Sequence, residues 1–227
     1  MKIYNSDINK AFEQAVKQFM SDLAYLAEVQ EKVVIGLVGG RSVAALYRML
    51  AKVKSLAWNQ CEFVILDERY VPLDSEESNF KLIQETFFEP LLKGNQISKD
   101  QIHPWNTSLE GNAVAQDYGI VLEQLGGSVD LAIVSTGEDG HIAGIFPTKD
   151  YSTDELYIYF EDSPKPPKKR LSITPYALAK AKKAYVLFVG EDKQKALHQF
   201  IESDERTNPQ QTLDALQNVV IITDQTP

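Results

Sequence analysis

The chain has 227 residues, 44% hydrophobic and 24% charged, with a formal net charge of -9 at pH 7. That acidity argues against a nucleic-acid surface, which is normally basic, but not against an anionic small molecule held by local Arg, Lys and backbone N–H groups. One cysteine, Cys61, excludes an intramolecular disulfide and fits a reducing compartment. With no apolar leader at the amino terminus and no run of about 20 apolar residues, the expectation is a soluble, cytoplasmic protein without a membrane partner.

In chain order, residues 7–30 place Ile8, Phe12, Ala15, Val16, Phe19, Leu23 and Leu26 at helical spacing. "KVVIGLVGG" reads as a buried strand running into a glycine turn, and "SVAALYRMLAKV" as a helix with Ser42 as N-cap. "CEFVILDERYV" predicts a second buried strand that ends in charge, with Cys61 as a small core residue. "SEESNFKLIQETFFEPLL" predicts a helix that Pro90 interrupts or ends, and residues 98–108 read as irregular, with room for a short edge strand. A helix over residues 110–127 closes on Gly126 and Gly127.

Residues 129–134 form the third buried strand. "ELYIYFEDSPKPPKKRLSIT" reads as strand, proline-rich loop and short strand, and "PYALAKAKK" as a helix with Pro175 at its first position. "AYVLFVG" is a strand, "EDKQKALHQFIES" a helix and "NVVIITD" the last strand. Buried strands alternating with helices predict a single α/β domain over residues 1–227, a mostly parallel, Rossmann-like sheet with helices on both faces. Ligands bind such folds beyond the carboxyl ends of the strands. Those ends here carry "GGRS", "DERYVP", "STGEDGH" and "VGEDK".

Gly39 and Gly40 would let backbone approach an anion at a helix start, with Arg41 and Ser42 adding hydrogen bonds; the same residues also suit a plain tight turn. Asp67 and Arg69 stand at a strand end, where Arg69 suits a bidentate grip on phosphate or carboxylate, or else both belong to a solvated turn. "STGEDGHIAGIFP" is more specific. Histidine is a natural general base, Asp139 or Glu138 would orient the His141 ring, and the glycines would offer N–H groups to a developing oxyanion. The bland alternative is a capping turn with a surface histidine. His103 and His198 lie in unrelated contexts and read as structural, so no metal set is expected. The proline-rich loop either presents Lys165 or Arg170 to an anion or is a stiff, solvated connector.

Taken together, these motifs resemble the 6-phosphogluconolactonase family, within the superfamily that includes glucosamine-6-phosphate deaminase. The matching pieces are "GG" at 39–40, "DERYVP" at 67–72, "SN" at 78–79, "GEDGH" at 137–141, "FP" at 146–147, "SPKPP" at 163–167 and "RLSIT" at 170–174. The resemblance implies hydrolysis of 6-phospho-D-glucono-1,5-lactone to 6-phospho-D-gluconate, a step of the oxidative pentose phosphate pathway, with no cofactor. It implies His141 as the base, Asp139 as its support, and Arg69, Lys165, Arg41 and the 39–42 backbone as anion contacts, leaving monomer or dimer open. The chain departs from the pattern at Val38, where a serine is usual, at Arg41, inserted in the register, and at Ser135, where a glycine is usual. A deaminase or isomerase is the rival enzyme, but "GIFP" stands where that branch continues F-N-E-P. A silent sugar-phosphate-binding protein is the third reading; retention of His141 and Asp139 speaks against it.

Overall fold

Residues 1–225 are described in the computed structural model. β1 (Lys2–Asn5) leads to α1 (Ile8–Val29), which Asp7 caps by accepting from the amide of Asn9. Of the residues spaced for a helix, Phe12, Ala15, Val16, Phe19, Leu23 and Leu26 are buried, and Ile8, at the first position, is only partly so. Then come β2 (Val33–Leu37), α2 (Arg41–Leu50), β3 (Cys61–Ile65), β4 (Asp67–Arg69) and α3 (Asn79–Ile83). A π turn over Gln84–Phe88 joins α3 to α4 (Glu89–Lys93), followed by β5 (Ile102–His103), α5 (Asn112–Gln124) and β6 (Leu131–Ser135). The chain continues through β7 (Tyr157–Phe160), β8 (Arg170–Ile173), α6 (Pro175–Leu178), β9 (Lys183–Phe188), α7 (Gln194–Glu202), α8 (Asn208–Ala215) and β10 (Val219–Thr223).

Seven strands form one parallel sheet in the order β1-β10-β9-β6-β2-β3-β5. β2, β3 and β10 are buried along their whole length, as parallel strands covered on both faces must be. The connections β2→β3→β5 step one way across the sheet, and β5→β6→β9→β10 step the other way. Right-handed crossovers therefore put α1 to α4 on one face and α5 to α8 on the other. The reversal falls between the hydrogen-bonded neighbours β2 and β6, which opens a crevice beyond their carboxyl ends.

The predicted α/β class stands, with several corrections. "CEFVILDERYV" is two strands: β4 leaves the main sheet and pairs antiparallel with β8, in a small second sheet ordered β4-β8-β7. Pro90 does not stop its helix, because it sits in the first turn of α4, where its missing N–H costs nothing. That helical stretch starts at Asn79, capped by Ser78. Ser42 is not an N-cap: α2 begins at Arg41, and Gly40 precedes it at φ +136°, a conformation suited to glycine. Two elements lie outside the predicted set. β1 is an edge strand of only four residues, and α8 has a weak apolar face, although Thr207, Pro209 and Gln210 carry its start signal.

Candidate active site

The strand-end turns meet over the β2/β6 crevice. A cleft of about 520 Å3 is lined by Gly39, Gly40, Arg41 and Ser42 after β2, by Ser135, Thr136, Gly137 and His141 after β6, and by Asp192 and Lys193 after β9. Arg69 and Lys165 complete its wall. A smaller inner pocket of about 150 Å3 shares Gly39, Arg69, Ser135, His141 and Lys165 with it and adds Asp67, Asn79 and Arg170.

The histidine is set by local backbone. The chain after β6 folds back on itself, with the Gly137 amide donating to the His141 carbonyl at 2.8 Å and the Gly140 amide to the Gly137 carbonyl at 3.0 Å. Gly140 has φ +84°, and a Cβ on Gly137 would lie 2.1 Å from the imidazole. The two glycines thus have different reasons: one makes the turn, the other makes room for the ring. His141 Nδ1 sits 2.5 Å from Asp139 Oδ1, and its ring packs on Phe146 with centroids 4.8 Å apart. A carboxylate at Nδ1 selects the Nδ1–H tautomer and leaves Nε2 to take a proton. Burial pushes the Asp139 carboxyl up, but the hydrogen bond and charge of His141, joined by the charge of Lys165, outweigh it and hold the group well below the usual carboxylate range. Lys165 Nζ lies 3.2 Å from Glu138 and 3.6 Å from Asp139.

The expected oxyanion donors of this loop are spent. The amides of Gly137 and Gly140 bond within the loop, and that of Gly144 donates to Ser172 Oγ at 3.0 Å. Open donors lie instead at the start of α2. No side chain caps it, and the N–H groups of Gly39, Gly40 and Arg41 have no acceptor among the described residues. Such an end attracts anions. Ser42 Oγ pairs with Ser135 Oγ at 2.9 Å.

Arg69 gives one N–H to the Glu77 carbonyl at 2.8 Å, while its Nε is buried without an acceptor. Asp67 is buried, and its carboxylate makes no hydrogen bond among the described residues. Arg170 is only partly committed. It is buried, and two of its nitrogens bond the carbonyls of Pro166 and Pro167 at 3.0 and 3.1 Å, so it pins the loop that carries Lys165. Lys193, Ser135 and Asn79 are site residues that sequence reasoning did not nominate. Lys193 stood in "VGEDK", one of the four rim turns, and Asn79 in the quoted "SN". Among the described residues no group of three or more His, Cys, Asp or Glu side chains is placed to hold a metal ion.

Residues 6–222 match the family described as glucosamine-6-phosphate isomerases/6-phosphogluconolactonase. The chain belongs to this family. Among curated relatives, it is 37% identical over 194 residues to the 6-phosphogluconolactonase of Borreliella burgdorferi, covering 83% of this chain and 82% of that protein. It is 34% identical over 180 residues to that of Thermotoga maritima, covering 79% of each. The crystal structure of a Thermotoga maritima 6-phosphogluconolactonase superposes with a TM-score of 0.85 at 28% identity, over 98% of both chains. The family model spans all four rim turns of the cleft. No helix among the described residues is long and apolar enough to cross a membrane.

Proposed function

We propose that this chain hydrolyses 6-phospho-D-glucono-1,5-lactone to 6-phospho-D-gluconate, with His141 as the general base. The observation that carries this reading is His141, paired with Asp139, in one cleft with Arg41, Arg69, Lys165 and Lys193. An acid–base pair beside a concentration of cations suits a neutral ester bond on an anionic substrate. The lactonase relatives and the family match support the same reaction.

The N–H groups at the start of α2, with Arg41, Ser42 and Lys193, hold the phosphate. The carboxylate of Asp67 accepts from sugar hydroxyls in the inner pocket. Nε2 of His141 removes a proton from water as its oxygen attacks the lactone carbonyl carbon. Asp139 steadies the imidazolium. Arg69 and Lys165 offset the charge that develops on the carbonyl oxygen. Collapse breaks the bond from C1 to the ring oxygen, which takes the proton back from His141. Arg170 acts by holding the Lys165 loop. A soluble sugar-phosphate substrate fits the expected cytoplasmic setting.

The test is lactone made in situ by glucose-6-phosphate dehydrogenase, followed with wild-type protein, with His141→Ala and with no protein. Acceleration by the wild type alone supports both the reaction and the base. Equal acceleration by His141→Ala rejects the base. No acceleration above the spontaneous rate rejects the lactonase reading and turns the assay to glucosamine 6-phosphate.

A further inference from the structure

Behind the cleft, one buried carboxylate ties its walls together. Glu68 lies on β4 between Asp67 and Arg69, so its side chain leaves the opposite face of the strand, and it is 1% exposed. Its Oε1 accepts from the amides of Arg69 and Asn79, both at 2.7 Å. Its Oε2 accepts from Ser78 Oγ at 2.9 Å and from the Phe80 amide at 2.7 Å. The three amides can only donate, which favours the ionised carboxylate, while burial, the largest influence, pushes its pKa up. Asn79 extends the tie. Its Nδ2 donates to the Asp67 carbonyl at 2.8 Å. Its side chain also lies flat against Gly39, where a Cβ would come within 1.9 Å of Asn79 Oδ1.

The strand at 67–69 and the start of α3 are therefore tied by hydrogen bonds at their backbones, and the glycine turn at 39 packs directly on the Asn79 side chain. Their front sides are the cleft. Gly39 and Arg69 line both of its parts, and Asp67 and Asn79 line the inner pocket. Glu68 lines neither part, so it reaches a substrate only through what it holds.

We propose that Glu68 and Asn79 are positioning residues, which set the α2 amides and the Asp67–Arg69 strand at one spacing so that both grip the same substrate. This rests on the lactonase reading. Its consequence is a loss of affinity larger than the loss of chemistry, because His141 and Asp139 belong to a loop the tie does not touch.

The experiment compares wild type, Glu68→Gln, Asn79→Ala, Arg69→Ala and the Glu68→Gln/Arg69→Ala double variant. Steady-state kinetics on the lactone are read beside thermal unfolding. Glu68→Gln keeps the shape but turns one acceptor oxygen into a donor facing donors. Asn79→Ala leaves the Glu68 bonds to backbone intact and serves if Glu68→Gln does not fold. The expected result is a KM raised about tenfold in Glu68→Gln and in Asn79→Ala, with kcat within about threefold of wild type, whereas Arg69→Ala also lowers kcat because it takes a charge away from the carbonyl oxygen. The double variant should have a KM close to that of Arg69→Ala, since Glu68 acts in large part through Arg69. Unchanged KM in folded variants, or kcat and KM effects that merely follow the loss of thermal stability, would overturn the proposal alone. A wild type without lactone turnover would remove the reading beneath it, and the proposal with it.

Discussion

Ser42 Oγ and Ser135 Oγ lie 2.9 Å apart, joining the first turn of α2 to the carboxyl end of β6 across the point where the strand order reverses. Two hydroxyls that share one hydrogen bond leave one O–H without an acceptor, and both residues line the cleft. The chain departs from the family pattern in lacking a serine at 38 and having one at 135. Val38 is buried, with its backbone bonded to the Tyr47 hydroxyl, so under the proposed phosphate binding at α2 the second hydroxyl comes from the β6 side. Ser42→Ala and Ser135→Ala should each raise the KM for the lactone by about 3- to 10-fold with little change in kcat, the worth of one hydrogen bond. The double variant should be no worse than about either single one, because the pair acts as a unit. Additive losses would show that the hydroxyls contact the substrate independently.

Asp139→Asn tests the tautomer. An amide at this place can present N–H to Nδ1, which favours the Nε2–H form and removes the lone pair that would accept a proton from water. The expected fall in kcat is on the order of 10²- to 10⁴-fold, with KM little changed. The rate must be read above spontaneous lactone hydrolysis. A variant that keeps more than about a tenth of wild-type kcat would mean the carboxylate is not needed for base function.

The His141–Asp139 pair was legible because it is local: two residues apart, on glycines, directly after a buried strand. The same locality made the rim turns at 39–42 and 67–69 readable. What was not readable depends on a chain reversal. β4 leaves the main sheet at Leu66, and nothing in "FVILDER" marks that exit, so the side chain of Glu68 could not be placed behind the cleft or tied to Ser78, Asn79 and Phe80. Arg170, nominated as a cation after a proline-rich loop, does line the inner pocket. Its use on the Pro166 and Pro167 carbonyls follows from burial, which composition does not carry. The loop glycines looked like oxyanion donors, yet the turn that aims His141 consumes their amides.

Gly137→Ala should separate ring placement from folding. The added Cβ would meet the His141 ring at 2.1 Å and Asp139 Oδ1 at 2.5 Å, so the pair must shift. A displacement near 1 Å at a catalytic group costs on the order of 10²-fold in rate. The predicted outcome is that loss in kcat, with a far-ultraviolet circular dichroism spectrum like that of wild type. A control is Gly127→Ala, remote from the cleft at φ +75° with no atom within 4 Å, which should cost stability and spare kcat. Equal effects of the two substitutions on kcat would reject the steric argument.

At the opposite rim, Glu62 should support the fold only above acid pH. It is buried, accepts from Lys32 Nζ at 2.7 Å and pairs with His103 Nε2 at 2.8 Å. Burial raises its pKa, but the hydrogen bonds and charges of Lys32 and His103 prevail and lower it below the ordinary value. A carboxyl with a lower pKa folded than unfolded stabilises fully above its unfolded pKa of about 4.3 and loses that contribution as pH falls through the folded value. Lys32 is 60% exposed, so its share is screened by salt. Glu62→Gln should cost about 1–2 kcal/mol at pH 7, seen as a Tm about 2–4 °C lower per kcal/mol. Thermal unfolding of both proteins from pH 7 down to about 2 should show the two Tm values converging below about pH 4, as the carboxyl is protonated. A gap that stays constant over that range would mean Glu62 contributes by packing, and not as a charge.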